Sequence, residues 1–474
     1  MLFNSLIFVV FFIIVVTLHY SLKNWSTQKK LLLVASYLFY AAWNPPFVLL
    51  LWLSTIVDWY AAKNIESAQN KSSKKFWLSI SLLMNLGLLG FFKYGNFALE
   101  SLTAGLGLMG MQVQWAAMDI ILPVGISFYT FQTLSYTLDV YRGHLKTSNS
   151  FLDFALYVTF FPQLVAGPIV RATDFLPQCE TPKRANASQF SWGLYFMCLG
   201  LFQKVVLADV MLAPAADAVF NWTKGPLAPL DSWIGTLAFS GQIFFDFAGY
   251  STCAIGVALC LGFVIPDNFK FPYAAMGFSD FWRRWHISLS GWLRDYLYIS
   301  IGGNKHGAAR TFINLMITML LGGLWHGASW TFVAWGALHG LYLIVERAIQ
   351  LIFKNTNITS KRSARVLIRL VTFFFVTISW VFFRSQSFEK VMLTLLAMFG
   401  GIADGAQILA TIEIYKVATV ILLLVGCHWY MRESHIEFFM EKLPKWSIAL
   451  LWGLMIFAII IAQGGNNAFI YFQF

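Results

Sequence analysis

A chain of 474 residues in which 58% are hydrophobic and only 12% charged lies far below the roughly 25% charge of a soluble domain, which excludes an ordinary water-soluble fold and indicates a membrane protein. The formal net charge of +11 does not indicate nucleic acid, because Lys and Arg sit mostly at the ends of apolar segments, where they set orientation and meet anionic lipid. The cysteines at 179, 198, 253, 260 and 427 form no CxxC pair and lie mostly in apolar runs, which argues against a disulfide framework and against a metal centre.

The first apolar run, Leu2 to Tyr20, has neither a basic n-region nor a small-residue cleavage site, so it is expected to be retained. Lys23, Lys29 and Lys30 follow it, which places the N-terminus outside and this first loop in the cytosol. The next basic cluster, Lys63, Lys71, Lys74 and Lys75, is expected to be cytosolic too. Two crossings then fit between Leu31 and Ala62, turning at the Asn-Pro-Pro of residues 44 to 46. Further apolar runs include Phe76 to Phe92, Phe312 to Val345 and Ile448 to Ala462, and polar breaks fall at His144 to Ser150, Cys179 to Gln189, Lys354 to Arg369 and Arg432 to Lys445. The loop with Lys354, Lys361, Arg362, Arg365 and Arg369 is the most basic and is expected to be cytosolic. The pattern predicts an all-α polytopic protein of roughly ten to thirteen membrane helices, because only helices satisfy the backbone in lipid over runs this long and apolar. No repeat or linker divides the chain, which reads as one domain, 1–474.

Residues 280 to 303, DFWRRWHISLSGWLRDYLYISIGG, depart from the simple pattern. On a helix, Phe281, Trp285 and Leu289 share one stripe while Arg283, Arg284 and Arg294 fall off it, which predicts a re-entrant or interfacial helix with a basic face toward lipid headgroups or an anionic ligand.

The chemistry is bounded first by what is missing. There is no GxxxxGK[ST] loop, no HExxH and no GxGxxG after a strand, and GISFY, GYSTC and GASWT all lack the second glycine of a hydrolase elbow. Of the eight histidines, His19, His144, His306 and His435 lie in polar surroundings or near segment ends and read as solvated surface; His428 reads as interfacial or core, and an interhelical hydrogen bond explains His339. His326 in LGGLWHGASW differs. Gly322, Gly323 and Gly327 allow close backbone approach, and Trp325, Trp330 and Trp335 supply bulk, so the segment can wall a narrow aromatic cavity around one imidazole. Such a group at membrane depth is a functional candidate, here a neutral general base; structural hydrogen bonding is the competing reading.

FWRRWHISLSGWLRDYLYISIGGN at 281 to 304 and NLMITMLLGGLWHGASWTFVAWGALHG at 314 to 340 resemble the membrane-bound O-acyltransferase family, in its alginate O-acetyltransferase-like and peptidoglycan O-acetyltransferase-like branch. ILPVGISFYTFQTLSYTLDVYRG at 121 to 143, FFPQLVAGPIVR at 160 to 171, FFDFAGYSTCAIG at 244 to 256 and the terminal FIYFQF extend the resemblance over most of the chain. It implies transmembrane and short tilted helices around a central tunnel, with His326 catalytic and His286 as the second characteristic histidine. Thr252 stands where related sequences often carry an acidic residue after GYS, while Asp246 is retained. The resemblance further implies an acyl thioester donor such as acetyl-CoA with no permanently bound cofactor, a separate SGNH-type transferase outside the cell, and a polysaccharide acceptor (alginate, cellulose or peptidoglycan type), in a bacterial inner membrane. On this reading Arg283, Arg284, Trp285, Trp325, Trp330 and Asp246 are candidates for binding the donor, with lipid headgroups an equal partner for the two arginines. Two rivals are a D-alanyl transferase for teichoic acid that uses an acyl carrier protein, and a lipid-linked sugar flippase without covalent chemistry.

Overall fold

The computed structural model describes the chain except residues 114, 117, 354–360, 403, 435, 441, 463–468 and 470–474, and except the side chains of 437 and 439. Among the described residues it is helical, with a single bridge, Leu227 to Ala406, outside the helices. Among the described residues, nine helices are long and apolar enough to cross a membrane and Leu6–Ser21 is a shorter apolar one, so the protein is a multi-pass integral membrane protein. Packing divides the chain into two compact units, Met1–Phe196 with Ala254–Pro266, and Met197–Cys253 with Asp267–Phe474.

In the first unit, Asn24 caps Trp25–Ala41 by accepting from the Thr27 N–H, and Asn70 caps Lys71–Leu108 in the same way through Ser73. Two helices separated by Asn44, Pro45 and Pro46 do fill the stretch from Leu31 to Ala62. At 38 residues, Lys71–Leu108 is about 57 Å long at the α-helical rise, well beyond the hydrocarbon thickness. Three helices share a buried polar cluster: the Asp58 carboxylate accepts from Ser81 Oγ at 2.5 Å and from Asn85 Nδ2 at 2.8 Å, and Ser54 and Thr133 donate to Asn85 Oδ1. His19 corrects the surface reading: it is fully buried and its Nε2 meets the Lys183 carbonyl at 3.2 Å, because the segment end on which it lies is covered by residues 183 to 185.

The second unit includes a π-helical stretch, Phe202–Leu212, of the kind that often marks a functional or strained position. Gly200 lies against Pro229–Cys260 so closely that a Cβ would stand 2.4 Å from the Gly249 carbonyl oxygen. Beside that crossing, Lys204 is clamped between Asp209, at 2.8 Å, and Asp246. The apolar run 312 to 345 is two helices, Gly307–His326 and Trp330–Ile352, broken at Gly327 to Ser329, where Ser329 Oγ accepts from the Thr331 N–H. Gly323 and Gly336 bring them together: a Cβ on Gly323 would meet the Phe332 carbonyl oxygen at 2.3 Å and Gly336 Cα at 3.0 Å.

The helix expected over 280 to 303 is interrupted. Phe278–Trp282 and Ile287–Trp292 flank a turn in which His286 adopts φ 44°, and a π-helical Leu293–Tyr298 follows. The stripe is nonetheless buried: Phe281, Trp285 and Leu289 are almost wholly inaccessible. The break arises because residues 284 to 287 pair with an extended strip, Lys270 N–H donating to the Arg284 carbonyl and Ile287 N–H to that of Asn268, each at 2.9 Å. His286 and Phe271, at opposite ends of this pairing, are the two non-glycine residues with positive φ among the described residues. Such geometry costs about 1–3 kcal/mol and persists only where the surroundings over-determine it.

Candidate active site

The site lies within the second unit. His326 is the last residue of Gly307–His326 and is 3% exposed. Its ring is walled edge-on by Trp325 and Trp335, each at a centroid distance of 5.1 Å, and by Phe383 at 5.4 Å. The glycine behind it has a steric reason: a Cβ on Gly327 would overlap the Phe332 ring at 2.2 Å. His286 is fully buried, its ring centroid 6.4 Å from that of His326, with Trp325 beside both and Phe247 against its other side at 4.6 Å. The two histidines singled out from the sequence are therefore brought together across 40 residues of chain.

The hydrogen bonds around His286 fix its tautomer. Asn268 Oδ1 accepts from the Ser288 N–H at 3.3 Å and the Ser288 hydroxyl at 2.9 Å, while Asn268 Nδ2 donates to Ser251 Oγ at 3.1 Å. The atom facing His286 Nδ1, at 3.0 Å, is thus an acceptor, so Nδ1 carries the proton and Nε2 the lone pair. Burial pushes the His286 pKa down to about 3, so the ring is neutral at physiological pH. Asn268 was not legible beforehand: an Asn after Pro266 and Asp267 reads as a turn residue, and no spacing rule ties it to a histidine 18 positions on.

The remaining candidates separate. Trp325 packs against both histidines, at 5.8 Å from His286 and 5.1 Å from His326. Trp285 is a core residue, stacked on Phe281 at 5.6 Å and close to Trp380 at 5.0 Å. Trp330, at 55% exposed, lies on the surface. Asp246 is engaged by Lys204. Arg284 is buried and occupied, pairing with Asp280 at 2.9 Å and donating to the Lys270 and Arg432 carbonyls, whereas Arg283 is exposed. Asp280 is held below the ordinary carboxylate range: burial alone would raise it, but the Met276 N–H, Arg432 and Arg284 donate to it and outweigh that. His339 is tied to Ser379 Oγ at 3.0 Å, and His428 Nδ1 accepts from the Tyr273 N–H, as structural histidines do. His144 and His306 are exposed; His435 lies outside the described residues. Of the terminal FIYFQF, Phe469 is buried against Phe247 and Tyr250, and residues 470–474 lie outside the described residues. Trp335 supplies a further group: its indole Nε1–H is buried with no hydrogen-bond partner among the described residues.

Residues 131–388 match the model of the membrane-bound O-acyltransferase family. A Pseudomonas aeruginosa protein named "Probable alginate O-acetylase AlgI" is 39% identical over 452 residues, covering 94% of this chain and 84% of its own. The "Peptidoglycan O-acetyltransferase" of Helicobacter pylori is 36% identical over 431 residues, 84% of this chain and 80% of its own. The "Teichoic acid D-alanyltransferase" of Streptococcus thermophilus is 32% identical over 239 residues, 48% of this chain and 57% of its own.

Proposed function

Because the chain belongs to the membrane-bound O-acyltransferase family, we propose that residues 1–474 act as one enzyme domain of a bacterial inner membrane, N-terminus outside, that moves an acetyl group from a cytosolic thioester to a hydroxyl on the outer side, for O-acetylation of an envelope or secreted polysaccharide. The observation that carries this reading is the pair of buried histidines 6.4 Å apart around Trp325. In the proposed step, neutral His326 takes the proton of the attacking hydroxyl as its oxygen bonds to the thioester carbonyl carbon. The C–S bond then breaks, and the proton passes to the leaving thiolate, giving an ester and a free thiol. The Trp335 indole N–H supports the reading as a donor to the developing oxyanion.

His286, with its Nε2 lone pair directed away from Asn268, orients a hydroxyl or thiol in this scheme, and Asn268 is a positioning residue for it. Arg283 is the exposed cation suited to the phosphates of acetyl-CoA; Arg284, through Asp280 and the Arg432 carbonyl, holds the turn that carries His286. The donor is a substrate, and the thioester itself supplies the activation, so the scheme calls for no resident cofactor. A separate SGNH-type protein outside would complete delivery to the polysaccharide. The test is transfer of radiolabelled acetyl from acetyl-CoA by protein in liposomes, wild type against His326→Ala. Loss of transfer in a folded variant is expected; full retention would contradict the assignment. Turnover only with an acylated carrier protein would instead favour the D-alanyl reading, which the relative from Streptococcus thermophilus keeps in view.

A further inference from the structure

The second unit holds a cavity of about 590 Å³ that the reaction above does not use, with Phe220, Trp222, Leu227 and Ser232 on one wall and Lys390 and Leu393 on the other. Its size falls within the roughly 300–1,000 Å³ of small-molecule sites. Its position follows from the chain. Arg384 ends the helix that starts at Arg362 in the most basic loop, so by charge the cavity opens at the end away from the cytosol. It also lies next to the histidine site: Phe383, three residues before Gln386, touches His326, and Phe239 links Phe383 to the cavity wall at Phe220, at 6.4 and 5.8 Å.

The walls are fixed in place. Residues 226 to 228 pair with Ala406, and Asp231 Oδ1 accepts from the Ile408 and Leu409 N–H groups. A Cβ on Gly405 would lie 2.2 Å from the Leu227 carbonyl oxygen, so only glycine permits that approach. Lys390 Nζ donates to the Trp222 carbonyl at 2.6 Å and anchors the tryptophan. Within this frame two donors are left over. The indole Nε1–H of Trp222 has no hydrogen-bond partner among the described residues, and neither has the Ser232 hydroxyl, which is fully buried in the wall. Ser232 differs from the next two hydroxyls along its helix, since Thr236 and Ser240 each donate to the carbonyl four residues back. Exposed Asn221, Gln386 and Glu389 add polar groups to the lining.

An indole with a free N–H, planar amides, a carboxylate and a buried hydroxyl match a ligand that has an apolar C–H face and a rim of hydroxyls acting as both donors and acceptors. A phosphate-rich ligand fits poorly, because Lys390 is engaged by a carbonyl and Glu389 stands beside it. A lipid chain fits poorly because it would leave the Ser232 hydroxyl and the Trp222 indole N–H in the wall unsatisfied. We propose that this cavity binds a short stretch of saccharide chain, two or three rings, presented from the outer side; the assignment rests on the acyl-transfer reading for its purpose but not for its chemistry.

The test is titration of the full-length protein in detergent with a uronate trisaccharide and an N-acetylhexosamine trisaccharide, followed by intrinsic tryptophan fluorescence and calorimetry. Saturable binding of at least one is expected, weakened by about tenfold in Trp222→Ala. The surface double variant Asn221→Ala/Gln386→Ala, whose fold has little to lose, is expected to weaken it in the same direction, while His326→Ala binds like wild type. No binding of either sugar by a protein that still transfers acetyl would overturn the cavity assignment and leave the reaction standing. Binding by a protein with no acyl transfer would overturn the reaction and leave the cavity. Undiminished sugar binding in both cavity variants, with capture of the external transferase lost instead, would overturn the saccharide in favour of a protein segment.

Discussion

The Asp58 cluster of the first unit and the histidine pair of the second are both polar groups buried among apolar helices, and they differ in what surrounds them. Around Asp58 the neighbours are donors: Ser81 and Asn85 meet the carboxylate, and Ser54 and Thr133 meet Asn85 in turn. Such a network ties three helices together and leaves nothing to offer a substrate. Around His326 the neighbours are rings, Trp325, Trp335 and Phe383, and around His286 the polar contact at Asn268 fixes one nitrogen and thereby defines the other. Burial is common to both sites, and the partners differ: a closed hydrogen-bond network around Asp58, and rings with a single polar anchor around the histidine pair.

The largest effect that would sharpen this contrast is at His326. His326→Ala is expected to lower acetyl transfer by about 10²–10⁴-fold, the usual worth of a general base, with thermal unfolding in detergent close to wild type. The converse is expected at Asp58. Asp58→Ala strands the Ser81 and Asn85 donors, each worth roughly 1–3 kcal/mol when buried and unsatisfied, so unfolding temperature falls markedly while transfer per folded molecule holds. A variant of Asp58 that kept its stability and lost transfer would break the comparison.

A smaller effect is expected at Asn268. Asn268→Ala should reduce kcat by about 10–100-fold, by analogy with groups that orient an imidazole, and leave the KM for acetyl-CoA near wild type; a purely structural role would lower the yield of folded protein without that split. Smaller still is the pH effect. His286 has its pKa depressed to about 3 by burial against 6.5 in the unfolded chain, so between these values the unfolded state binds more protons and stability rises with pH. Unfolding temperature should fall on acidification from pH 7 to pH 4.5, with a shallower slope in His286→Gln. The least change is expected from His339→Gln, which can still bond to Ser379 and should leave transfer near wild type.

Much of this was legible in the residues themselves. The helical membrane class and the Asn-Pro-Pro turn came from hydropathy and turn chemistry, and the two histidines that motif singles out lie 6.4 Å apart in the fold. What was not legible depended on contacts distant in sequence. His19 looks like a segment end until residues 183 to 185 cover it. The helix over 280 to 303 looks continuous, because Phe281, Trp285 and Leu289 do share a buried stripe, yet pairing with residues 268 to 270 forces the break at His286. Arg283 and Arg284 are adjacent and alike in sequence; only the positions of Asp280 and Arg432 show that one is spent on the fold and the other faces solvent. Lys204 and Asp246 are 42 positions apart, and nothing local announces that a glycine crossing brings them together.

The most direct test of the central claim is a single-turnover measurement of acetyl transfer from acetyl-CoA by protein in liposomes, with His326→Ala beside the wild type at matched folded fraction. Acetyl-CoA binding is expected in both, and acetyl transfer in the wild type alone. Equal transfer rates in the two would contradict it.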